Sequence, residues 1–67
     1  MTLGEFLKNK RIEQKLTQKE LAEKLKIDYQ RIQEYEKNKT MPALKNALIL
    51  FKVLNIDIKE IEKILNI

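Results

Sequence analysis

The sequence predicts an all-α fold of five short helices, and three observations carry that prediction. One Gly and one Pro among 67 residues leave few strong breakers, which argues against short strands joined by tight turns. At 43% apolar residues the chain is not compositionally disordered, so it has the means to build a core. Thr-x-x-Glu capping boxes and apolar residues at helical spacing then divide the chain into segments of two to four turns. A length of 67 residues supports one domain, residues 1–67, with one modest core.

The elements follow in order. Thr2-Leu3-Gly4-Glu5 is a capping box, and behind it Leu3, Phe6, Leu7 and then Arg11 recur on one face, predicting a helix over about residues 3–14. Thr17-Gln18-Lys19-Glu20 is a second box, and the stripe Leu21, Ala22, Leu25 predicts a helix over 18–25. Lys26-Ile27-Asp28 breaks the pattern, with Asp28 placed to accept from the first free amides of a third helix, Tyr29 to about Glu36. Asn38 can take the left-handed conformation that ends it. Pro42 presets the start of a fourth helix carrying Leu44, Ala47, Leu48, Phe51 and Leu54. Asp57-Ile58-Lys59-Glu60 opens the fifth.

Charge is distributed unevenly. The net charge is +4, but from Lys8 to Lys45 eleven Lys or Arg face six acids, whereas from Asn55 onward Lys59 and Lys63 face Asp57, Glu60 and Glu62. A basic function belongs to the first two-thirds, although a solvated lysine-rich surface accounts for the same charge. Cysteine and histidine are both absent, which removes disulfides, thiolate metal sites and thiol nucleophiles. No paired acids mark a common cleft, so neither an enzyme nor a cofactor or metal is expected. No apolar run approaches a membrane span, and the first residues lack a signal-peptide core. A cytoplasmic protein without a membrane or small-molecule partner is the expectation.

The third helix divides its faces. Ile32 and Tyr35 can point inward, while Gln30, Gln33, Glu34 and Lys37 fall at i, i+3, i+4 and i+7 on the other side. Such a face is ordinarily just solvated. Glutamine can also pair bidentately with adenine, glutamate can accept from cytosine N4, and a helix of this width fits the DNA major groove. Tyr29 either meets a sugar or thymine methyl or packs on the second helix.

The pattern Leu16-Thr17-Gln18, Glu20-Leu21-Ala22, Lys24-Leu25, Ile32, Glu36, Lys39 and Pro42, preceded by Leu3-Gly4 and Arg11, resembles the Cro/cI-type (XRE-like) helix-turn-helix family of phage repressors and bacterial transcriptional regulators. The resemblance covers nearly the whole chain. It implies a five-helix, lambda-repressor-like DNA-binding domain with its helix-turn-helix at about 17–37, usually dimeric, the third helix entering the major groove. Position by position it implies base reading by Tyr29, Gln30, Gln33 and Glu34. Phosphate contacts fall to Gln18, Arg31, Lys39 and Thr40, with Arg11, Lys8 and Lys10 as further candidates. Glu34 either reads a cytosine or opposes the phosphates. Arg11 and Glu36 match a pair that joins the first helix to the end of the third. The chain departs from the family at Lys26, where the turn usually has Gly, at Tyr29, at Asn38 in place of Gly, at Lys10, and at Ala43 in place of a Ser cap.

The tail carries more apolar surface than a domain of this size needs. Ile56, Ile58, Ile61, Ile64 and Leu65 are expected either at a homodimer interface or packed over the first and fourth helices. The function expected from these residues is sequence-specific binding of double-stranded DNA by a dimeric repressor on a pseudo-palindromic operator, acting by occlusion. Two alternatives stand beside it: the DNA-binding antitoxin of a toxin–antitoxin pair, and a protein-interaction module on the same scaffold.

Overall fold

A computed structural model describes all residues 1–67 and contains five helices and no strands: α1 (Leu3–Glu13), α2 (Gln18–Leu25), α3 (Tyr29–Glu36), α4 (Leu44–Val53) and α5 (Ile58–Leu65). Both capping boxes form. The Thr2 hydroxyl accepts from the Glu5 N–H while the Thr2 N–H donates to Glu5 Oε1 at 2.9 Å, and Thr17 and Glu20 repeat the exchange. The Thr2 backbone N–H, and then its hydroxyl, hold the exposed Glu5 carboxyl below its ordinary pKa. This contribution to the cap is therefore present at neutral pH and is lost as pH falls through the lowered value. Asp28 and Asp57 cap α3 and α5 by accepting from the second amide of each helix.

The core is ten residues drawn from all five helical segments: Leu7; Leu21, Ala22 and Leu25; Ile32 and Tyr35; Leu50 and Leu54; Ile56 and Ile61. Leu21, Ile32, Leu50 and Leu54 are essentially inaccessible, and each such side chain contributes about 1.5–3 kcal/mol by burial. α2 and α3 pack closely on each other, α1 lies against α3 and α5, and α4 closes over α2. Tyr35 is buried with its hydroxyl accepting from Asn46 Nδ2 at 3.3 Å, so its polar end is satisfied.

Two expectations are corrected. Ile56 and Ile61, expected at a dimer interface or packed within the chain, are 9% and 5% exposed and belong to the core, Ile56 just before α5 and Ile61 on the edge of α5 that folds back against α1. Pro42 does not begin α4; it lies before the Ala43 N-cap, and Ala43 supplies no side-chain hydrogen bond to the open amides. At the turn between α2 and α3, Lys26 takes φ 58°, so a non-glycine residue occupies the left-handed region there at some cost in strain.

The one glycine sits inside a helix, where it is ordinarily worth about 1 kcal/mol less than alanine. A Cβ on Gly4 would collide with the Glu36 carbonyl oxygen and lie 2.6 Å from that of Tyr35, both backbone atoms. The clash outweighs the propensity. Gly4→Ala is expected to lower stability by about 2–3 kcal/mol in chemical denaturation, whereas a gain would show that α1 and α3 are not in contact here.

Candidate nucleic-acid interface

The side chains of α3 sort as its periodicity requires, with Ile32 and Tyr35 in the core and the opposite face open. Gln30, Gln33, Glu34 and Lys37 from that face, together with Lys39 from the segment after α3, line one shallow hollow of about 180 Å³ that contains no apolar residue. The expected readers Gln30, Gln33 and Glu34 and the expected phosphate contact Lys39 are thus brought together. Lys37, not among the expected contacts, joins them because it lies one turn beyond Gln33. Glu34 has no ion pair within 4 Å, but it shares the hollow with two lysines, which offset its charge.

Tyr29 stands apart from this cluster. Its ring lies on the α2 side, in a second hollow lined by Lys19, Ala22, Glu23 and Ile27, with the Lys19 ammonium 5.3 Å from the ring centroid. The packing alternative accounts for much of the side chain, which is 37% exposed. Arg31, Thr40 and Lys8 are exposed, and neither cation is in an ion pair.

Arg11 and Glu36 form a two-point ion pair. Arg11 Nε donates to Glu36 Oε2 at 2.6 Å and Nη2 to Oε1 at 3.2 Å, while Nη1 donates to the Leu16 carbonyl at 2.8 Å. Gln18 Nε2 donates to the same Glu36 carboxylate at 3.0 Å. The pair is nearly buried, with side-chain exposures of 11% and 5%. Arg11 is therefore withdrawn from the phosphate contacts, because all three of its guanidinium nitrogens donate within the protein. The Gln18 side chain is also partly committed, so what α2 offers outward is its N-terminal backbone: the Gln18 and Lys19 N–H groups precede the first capped amide and remain open.

Lys10 is a second correction. Its ammonium bonds Glu60 Oε1 at 3.3 Å, lies 3.9 Å from Glu13, and sits 5.6 Å from the centre of the Phe6 ring. It ties α1 to α5 and is not a free cation for a phosphate.

A family model described as helix-turn-helix matches residues 7–61, a span that contains α2 and α3 whole. No curated protein and no solved structure matches the chain.

Removing one member of the nearly buried pair leaves an uncompensated carboxylate. Arg11→Ala is expected to cost about 3–5 kcal/mol in urea unfolding, and the double change Arg11→Met with Glu36→Leu to recover much of that loss. Equal destabilisation by the single and double variants would contradict a charge-based account.

Proposed function

The chain belongs to the Cro/C1-type helix-turn-helix family of DNA-binding regulators, and from that premise we propose that it represses transcription as a dimer on a pseudo-palindromic duplex operator. The observation that carries the reading is the polar hollow on α3, where two glutamines, one glutamate and two lysines converge with no apolar lining. Gln30 and Gln33 read adenines through bidentate amide pairs. Glu34 accepts from a cytosine N4, its charge tolerated beside Lys37 and Lys39. Tyr29, apart from that hollow on the α2 side, meets sugar or a thymine methyl with the exposed part of its ring.

Arg31, Lys39, Thr40 and Lys8 hold phosphates, and the open amides at the start of α2, with the remaining polar atoms of Gln18, clamp another. Such contacts set register without reading sequence. The dimer uses the apolar side chains that the monomer leaves exposed. Ile58 and Leu65 on α5 are 56% and 41% exposed, and Leu44 and Leu48 on α4 are 77% and 51% exposed; Ile64 is half-buried beside the first pair. Twofold symmetry then sets two copies of α3 about 34 Å apart, one turn of DNA. Occupancy alone suffices for repression, since a dimer seated over a promoter excludes polymerase.

Enrichment of random duplexes on the purified protein is expected to return a pseudo-palindrome with half-sites one turn apart. On that duplex, Lys8, Arg31 and Lys39 from two protomers predict a log–log salt slope of about −5, from about 0.9 per phosphate neutralised. A slope near zero, or no enriched motif, would contradict the reading.

A further inference from the structure

Each of the five helices ends in the same closure. A left-handed residue (Lys15, Lys26, Asn38, Asn55 or Asn66) donates its N–H to the carbonyl three residues back, and the residue after it donates to the carbonyl five back. In this closure the second residue frequently makes an apolar contact with the last turn of its own helix, and an apolar side chain there is also placed to meet the core. That residue is Leu16, Ile27, Ile56 or Ile67 in four of the helices, and the first three of these pack in or against the core. At the end of α3 it is Lys39, which lines the polar hollow instead. The closure of α3 therefore lacks the apolar latch.

The Asn38 side chain supplies another. Its Oδ1 accepts from the Gly4 N–H at 2.9 Å, and its Nδ2 donates to Thr2 Oγ1 at 2.9 Å, so both ends of the amide are fastened to the first turn of α1. The missing Cβ of Gly4 is what lets the last carbonyls of α3 come this close. Two orphan requirements are met at once: an open amide of α1 gains an acceptor, and the closure of α3 gains an anchor that does not use Lys39.

We infer that Asn38 is a positioning residue for DNA binding, its side-chain amide clasping the α3 closure to α1 so that Lys39 is held at the interface. The inference rests on the DNA-binding reading. A glycine at this position would suit φ 62° at least as well but would make no clasp, so the clasp is what the asparagine adds to the turn.

Asn38→Gly removes the amide without straining the turn, which makes it the informative variant. Affinity for one duplex would be measured across a salt series for the wild type, Asn38→Gly, Lys39→Ala and the double variant, with folded fraction followed by circular dichroism. Asn38→Gly is expected to weaken binding about three- to tenfold on every duplex sequence alike and to lower the salt slope by about 1 for each Lys39–phosphate pair that no longer forms. Lys39→Ala should then cost less in the Asn38→Gly background than in the wild type. An unchanged slope with independent, multiplying effects, whatever the change in melting temperature, would overturn the inference. Failure of the wild type itself to bind any duplex is a separate result, and it would overturn the DNA-binding reading and this inference with it.

Discussion

The arrangement depends first on one nearly buried carboxylate. Glu36, at the last turn of α3, is held by Arg11 from α1 and by Gln18 from the first turn of α2, and Arg11 also takes the Leu16 carbonyl between those helices. Three helices are thereby fixed at one point by hydrogen bonds whose directions leave little freedom. Hydrophobic packing alone is less directional: Leu21, Ile32 and Leu54 favour a compact bundle without fixing its register. The fork of Arg11 specifies how far along α1 the end of α3 must lie. Nearer the start of α1, Gly4 and Asn38 fasten the end of α3 to the same helix a second time.

Ion pairs between helices sort the charges of a basic chain into two populations. Arg11 and Lys10 are spent inside, on Glu36 and Glu60, where they join helices. Arg31, Lys37, Lys39 and Lys8 remain outside without ion pairs. The net charge thus understates the separation between structural cations and those free to meet a polyanion. Of the eleven cations between Lys8 and Lys45, Lys37 and Lys39 share a hollow with two glutamines, which is why the proposed interface is placed there.

Most of the architecture was legible because local signals and packing agree. Thr2 with Glu5, Thr17 with Glu20, and Asp28 each mark a helix start that forms where its hydrogen bonds require it. The polar face of α3 was likewise readable from spacing, since Ile32 and Tyr35 fix which side turns inward. What failed to show was tertiary. Ile61 differs in no local respect from Ile58 and Leu65 on the same helix, and the path of α5 against α1 decides which of them is buried. Lys10 gave no sign of Glu60, fifty residues away, and the need for a glycine at position 4 arises from carbonyls contributed by α3. Pro42 misled because it suits the first helical position and the position before the cap alike.

The central claim is that duplex DNA docks on the outward face of α3 and the open start of α2. A backbone-amide chemical-shift titration with a selected duplex tests it most directly. The largest perturbations are expected at Gln18 and Lys19, at Gln30, Gln33 and Glu34, and from Lys37 to Thr40, with the Lys10–Glu60 junction little changed. Perturbations concentrated on α4 and α5, with the α3 face silent, would contradict the account.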